Sequence, residues 1–272
     1  MAKLSLQSTV TLNNGVEMPR LGFGVYQSPV GKATFDAVMQ ALKFGYRHVD
    51  TAAIYGNESD VGTAIRESEI PRDSVFVTTK LWNVDQGYDE ALRAFDISVS
   101  KLGVEVVDLY LLHWPVEGKR LESWKALEKL YTEKRVRALG VSNFTVKHLQ
   151  ELLKVAKVPP MVNQVEMSPF LTQKELVAFC QQNKVVVESY SPLTKGQKLN
   201  DKTLVALAGS YKKSPAQILV RWALQSGIVP LPKSNHIERV HENADVFDFE
   251  ISASDMQKLD DLNVNFRTSW DP

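Results

Sequence analysis

Cys180 is the single cysteine in 272 residues, which excludes an intrachain disulfide framework and a zinc site built on thiolates. A reducing compartment suits such a chain. Net charge is missing too: 32 Lys and Arg balance 32 Asp and Glu. No overall field therefore draws the chain to nucleic acid or to an anionic membrane surface, and any anion has to be held locally. No segment approaches 18 unbroken apolar residues, and the N-terminal Met1-Ala-Lys-Leu-Ser-Leu-Gln has no apolar run of signal-peptide length. A cytoplasmic protein without a membrane segment is expected. Low-complexity tracts, domain linkers and sequence repeats are also lacking, so residues 1–272 are expected to form one domain, a length that α/β barrels reach. Finally, Gly22-Phe-Gly-Val-Tyr-Gln27 lacks the third glycine of a dinucleotide fingerprint, which weakens the case for an open doubly wound sheet.

What is present is the composition of an ordinary globular protein, 44% hydrophobic and 24% charged, enough for a sizeable core. Ser8 to Leu12 and Val16 to Met18 alternate apolar and polar residues around Asn13-Asn14-Gly15, a strong hairpin signal. Beyond it, eight brief apolar runs read as strands: Leu21 to Val25, Arg47 to Asp50, Val75 to Lys80, Val107 to His113, Val136 to Ser142, Met161 to Glu166, Val185 to Ser189 and Ile228 to Leu231. Amphipathic stretches lie between them: Thr34 to Phe44, Asn57 to about Ser68, Tyr88 to Leu102, Leu121 to Lys134, Val146 to Val155, Gln173 to Asn183 and Pro215 to Gln225. Gly45 is placed to close the first helix and Asn57 to cap the second. Strand alternating with helix eight times predicts an α/β fold, a parallel (β/α)8 TIM barrel with an N-terminal β-hairpin.

In such a barrel every strand-end loop opens on the same mouth. Asp50, Lys80 and His113 end successive strands and stand 30 and 33 residues apart, about one β-α unit each. Three ionisable groups should therefore converge, with Tyr55 joining from a strand-to-helix loop. Taken alone, Asp50 and Tyr55 read more readily as a turn-capping acid and a packed phenol; the recurrence in register is what argues for a site. Ser142 and Asn143, Gln164, then Tyr190 and Ser191 fall at the ends of the next three strands, amide and hydroxyl groups suited to hold a polar ring.

A phenol with an ordinary pKa of about 10 is a poor acid at neutral pH. Lys80 beside Tyr55 is expected to favour the phenolate and so make the tyrosine a usable proton donor, with Asp50 holding the lysine charged and in place. His113 can donate a hydrogen bond to the same substrate oxygen. Protonating a carbonyl oxygen is useful only if hydride reaches the carbon, and no side chain supplies hydride, so a nicotinamide cofactor is required.

Seven segments then agree in order with one family: Gly45-Tyr-Arg-His-Val-Asp-Thr-Ala-Ala-Ile-Tyr-Gly-Asn-Glu58, Thr78-Thr-Lys-Leu-Trp82, Asp108-Leu-Tyr-Leu-Leu-His-Trp-Pro115, Gly140-Val-Ser-Asn-Phe144, Val162-Asn-Gln-Val-Glu166, Tyr190-Ser-Pro-Leu193 and Pro232-Lys-Ser234. Over essentially its whole length the chain resembles an aldo-keto reductase, nearest to short microbial and protozoan members, prostaglandin F synthase-like or 2,5-diketogluconate reductase-like. The resemblance implies a barrel that reduces aldehydes and ketones with NADPH, with Asp50, Tyr55, Lys80 and His113 as catalytic residues and no metal. It further implies that Ser142, Asn143 and Gln164 hold the nicotinamide carboxamide and that Tyr190 stacks on the ring. Ser191 and Leu193 would contact the pyrophosphate, Lys233, Ser234 and Arg239 the adenosine 2′-phosphate, with Glu242 and Asn243 near the adenine. Placing a phosphate there agrees with barrel chemistry, since Ser234 or Asn235 is expected to cap a helix after the last strand and helix N-termini favour anions.

Departures from the family pattern bear on the substrate. Tyr26 stands where many members have Trp and is expected to line the pocket with Trp82 and Trp114. Val116 to Arg120 is short, and the tail after Phe266 ends within six residues, so an open mouth is expected. Thr194-Lys195 replaces a glycine-containing turn, which puts the Leu193 contact in doubt. The partner expected is a small-molecule carbonyl substrate, without nucleic acid or membrane, and the chain is expected to be a monomer. The alternative is a non-catalytic nucleotide-binding partner protein, channel-subunit-like, of the same fold.

Overall fold

The computed structural model describes residues 4–271. Strands β1 (Thr9–Thr11) and β2 (Glu17–Pro19) pair antiparallel across the expected turn. Asn13 Nδ2 donates to Pro160 O and Lys184 O, and Asn14 Nδ2 to Arg137 O. The hairpin is thereby fastened over the N-terminal ends of the barrel strands.

Eight parallel strands follow in sequence order around one sheet: β3 (Phe23–Gly24), β4 (His48–Asp50), β5 (Phe76–Leu81), β6 (Val107–Leu112), β7 (Val136–Ser142), β8 (Val162–Glu166), β9 (Val186–Tyr190) and β10 (Val229–Leu231). The ring closes through Gly22 N–H to Pro230 O and Gly24 N–H to Pro232 O, both 3.1 Å. Glycine is needed at this closure. A Cβ on Gly22 would lie 2.8 Å from His48 Nδ1, and one on Gly24 would lie 3.3 Å from Leu231 O. Every residue of β5 and β6 is buried, as expected for parallel strands covered on both faces.

The outer helices are α1 (Lys32–Phe44), α2 (Glu58–Glu67), α3 (Tyr88–Leu102), α4 (Arg120–Thr132), α5 (Val146–Leu153), α6 (Lys174–Gln182), α7 (Lys202–Tyr211), α8 (Pro215–Gln225), α9 (Ile237–Ala244) and α10 (Ala253–Asp260). Gly45 closes α1 at φ 119°. Asn57 occupies the cap position of α2 but makes no capping bond. Its amide accepts from Thr51 Oγ1 and donates to Val25 O instead, because a buried amide between two strand-end loops finds closer partners there than at the helix end. Among the described residues no helix is long and apolar enough to cross a membrane.

Candidate active site

Strand register brings the predicted residues to one end of the barrel. Lys80, at the end of β5, is fully buried and distributes its ammonium among Asp50 Oδ1 at 2.7 Å, Thr51 O at 2.8 Å and Tyr55 OH at 3.5 Å. Tyr55 closes a single 3-10 turn, Ala53–Tyr55, ended by left-handed Gly56. Its ring lies between Tyr26 and His113, at centroid distances of 5.0 Å and 5.7 Å.

The Tyr55 hydroxyl is not acidified here. Burial first, then the Asp50 charge and Tyr26, hold its pKa well above the ordinary phenol value, opposite to the direction expected from the lysine alone. The reason is burial: an enclosed phenolate would lose its hydration, and the Lys80 ammonium, 2.7 Å from Asp50 and 3.5 Å from the phenol, does not make that good in the free protein. Tyr55 therefore keeps its proton through the neutral range. Burial and then the Lys80 charge push His113 well below the ordinary imidazole value, so its ring is neutral. Nδ1 is buried without a partner, leaving Nε2 as the nitrogen that can serve a ligand.

Beyond the tetrad lies a shelf of amides and hydroxyls. Asn143 takes φ 63° at the end of β7. From there its Nδ2 donates to His113 O and Ser142 Oγ, and its Oδ1 accepts from Tyr190 OH at 2.8 Å. Ser142 Oγ donates to Gln164 O. Gln164 Nε2 donates to Asp50 Oδ2 and Glu188 Oε2, each at 2.9 Å. With both amide hydrogens used, Gln164 Oε1 is the polar atom left over.

One cleft of about 1330 Å³ runs from Asp50, Tyr55 and His113 past Ser142, Asn143, Gln164, Tyr190, Ser191 and Leu193 to Lys233, Ser234, Arg239, Glu242 and Asn243, with Tyr26, Trp82 and Trp114 on its walls. Lys80 alone among the sequence-named residues lies beneath its floor. At the far end Lys233 Nζ donates to Gln27 O, and Arg239 is exposed with no ion pair among the described residues. The cap of α9 is His236, without a side-chain bond, not Ser234 or Asn235. Ser234 Oγ accepts from His236 N–H just before the helix, and Asn235 Oδ1 accepts from Ser28 Oγ. The first amides of α9, Ile237 and Glu238, thus have no partner among the described residues.

Three features extend the sequence reading or lie outside it. Glu166 accepts from Thr268 N–H, Thr268 Oγ1 and Ser269 N–H, drawing the tail over the cleft so that Trp270 comes 5.8 Å from Trp114. The mouth is therefore partly walled by the short tail rather than open. Thr194 and Lys195 both adopt positive φ, 53° and 50°, and Lys195 Nζ donates to Thr268 O, while Leu193 keeps its place on the cleft wall. The third feature is Glu188, buried in β9 under Gln164.

Glu188 Oε1 faces His48 Nε2 at 3.7 Å. Burial, then Asp50, pushes Glu188 up to about 8, and burial, then Lys80, pushes His48 down to about 3. The two are neutral together at pH 7. A raised carboxyl contributes stability that is whole below its ordinary pKa of 4.5 and is lost as pH climbs to about 8. A depressed imidazole contributes stability that is whole above 6.5 and is lost as pH falls to about 3. With His113 lowered likewise, stability should peak near pH 6.5, and Glu188 alone should remove roughly 2 kcal/mol by pH 8. Urea unfolding across that range measures it; an unchanged midpoint from pH 6.5 to 8 would contradict a neutral Glu188.

Comparison with known proteins gives a consistent picture. The model of the family described as "Aldo/keto reductase family" matches residues 20–264. The chain is 50% identical to the glyoxal reductase of Bacillus subtilis (strain 168), covering 98% of this chain and 97% of that protein. It is also 50% identical to the 9,11-endoperoxide prostaglandin H2 reductase of Trypanosoma cruzi (strain CL Brener), covering 97% and 94%. Among solved structures, a mutant of Gox0644 in complex with NADPH superposes with a TM-score of 0.93 at 40% identity, over 97% of each chain.

Proposed function

The chain belongs to the aldo/keto reductase family and is an NADP-dependent oxidoreductase that reduces carbonyl groups, and we propose that Asp50, Tyr55, Lys80 and His113 carry out its proton chemistry. The observation that carries this reading is the hydroxyl of Tyr55, protonated and held between the Lys80 ammonium and His113 at the floor of the cleft.

The residues present fit the dinucleotide. Arg239 and the first amides of α9 offer unpaired donors at one end, and Gln164 Oε1 offers an acceptor at the other. Ser142, Asn143 and Gln164 would hold the carboxamide, Tyr190 the ring, Ser191 and Leu193 the pyrophosphate, Lys233, Ser234 and Arg239 the 2′-phosphate, with Glu242 and Asn243 at the adenine. When bound, NADPH supplies hydride to the carbonyl carbon. His113, neutral, donates a hydrogen bond to the carbonyl oxygen and fixes its position. Tyr55 transfers its proton to that oxygen as it becomes an alkoxide, a far stronger base than a phenolate even with the Tyr55 pKa raised. Lys80 stabilises the phenolate left behind, and Asp50 keeps Lys80 in place.

The barrel and cleft are complete within one chain, which supports a single-domain monomer; the lone buried Cys180 agrees with a reducing cytoplasm. No observation favours the non-catalytic alternative. Tyr26, Trp82, Trp114 and Trp270 make an aromatic mouth, so aromatic and medium-chain aldehydes should be reduced faster than small charged ones. Loss of NADPH absorbance with a panel of both kinds tests this. Silence across the whole panel would overturn the enzymatic reading, and preference for the small charged members would overturn the account of the mouth.

A further inference from the structure

Glu188 is a buried carboxyl that the proton chemistry above leaves unused. It is completely enclosed, it stands opposite Gln164 in the parallel pairing of β8 and β9, and its Oε2 accepts one hydrogen of the Gln164 amide while Asp50 accepts the other. A side-chain amide is planar, so two acceptors on its nitrogen determine where its oxygen points. Its other oxygen, Oε1, faces His48 Nε2 at 3.7 Å, beyond hydrogen-bond reach, so the Gln164 amide is the side-chain donor that Glu188 serves.

We propose that Glu188 is a positioning residue: by holding the Gln164 amide in one orientation, it presents Gln164 Oε1 to the nicotinamide carboxamide and keeps Asp50 seated on Lys80. The proposal rests on the reading that Gln164 contacts the cofactor. Without the Glu188 acceptor, one amide hydrogen of Gln164 is left buried with no partner, and the bond to Asp50 alone opposes rotation about the last side-chain bond. Asp50 and Glu188 together hold that orientation with two bonds instead of one.

At pH 7 Glu188 is neutral, so glutamine reproduces both its shape and its acceptor oxygen, while leucine keeps the volume and removes the acceptor. Glu188→Leu is expected to weaken NADPH binding, followed by tryptophan fluorescence, by roughly three- to tenfold, the range for one neutral hydrogen bond. Glu188→Gln should bind as the unaltered protein does. A purely structural role for Glu188 would instead weaken both variants in proportion to their loss of unfolding midpoint. Gln164→Leu separates the two levels of the argument. If it leaves NADPH binding unchanged, the cofactor contact itself is wrong. If it weakens binding while Glu188→Leu, with an unchanged circular dichroism spectrum, does not, the positioning role alone is overturned. Equal impairment of Glu188→Gln and Glu188→Leu also overturns it.

Discussion

Tyr55→Phe is expected to reduce carbonyl turnover by roughly 10²–10⁴-fold, the usual contribution of a general acid, while NADPH still binds. The substitution removes one oxygen and leaves the ring between Tyr26 and His113, so packing gives no reason for a lost site. Lys80→Met should cost a comparable factor, because the phenolate left after proton transfer then has no cation beside it. It also leaves the Asp50 carboxylate buried without its 2.7 Å partner, so a lowered unfolding midpoint should accompany the loss. Asp50→Asn should be milder, since the lysine remains. Single-turnover measurements with NADPH preloaded separate chemistry from release. Near-normal rates in Tyr55→Phe under those conditions would falsify the assignment, and Asp50→Asn falling below Lys80→Met would reverse the roles given to the pair.

Arg239→Ala should raise the NADPH dissociation constant about tenfold to a hundredfold, the scale of one hydrogen bond to a charged group, and leave NADH binding nearly unchanged. Because Arg239 makes no ion pair among the described residues, its removal breaks nothing in the free protein and the unfolding midpoint should stay put. The free amides at the start of α9 remain in the variant, so NADPH should keep a residual advantage over NADH. Parallel weakening of both cofactors would move the 2′-phosphate away from this end of the cleft.

The eight strands are legible because each is a short apolar run bounded by turn residues, and their observed ends fall within two residues of the expected ones. Asp50, Lys80 and His113 are legible for the same reason: a parallel barrel turns sequence spacing into spatial order. Helices α7 and α10 are less so, since α7 buries only Leu204, Leu207 and Ala208 and α10 only Leu259, too few apolar positions for a clear period. Glu188 sits inside Val185-Val-Val-Glu-Ser-Tyr190 like any alternating strand residue, and only the pairing of β8 with β9 gives it a partner. The tail has no period at all. Its position comes from Glu166, 102 residues earlier in the chain, a contact that no local pattern announces. The acidity of Tyr55 follows the same rule, because its direction is set first by how deeply the folded chain buries the phenol and then by the Asp50 charge beside it.

The closure between β3 and β10 places the barrel's shortest strand pair beside the cleft, because Gly24, Leu231 and Lys233 all line it. The Gly22 and Gly24 amides fasten that seam with bonds of 3.1 Å to Pro230 O and Pro232 O, so it has few bonds to lose to local opening. A dinucleotide lying along the cleft would act as a rivet across that seam. Occupancy and integrity of the ring would then be linked, since a dinucleotide that binds only the closed ring adds its binding free energy to the seam.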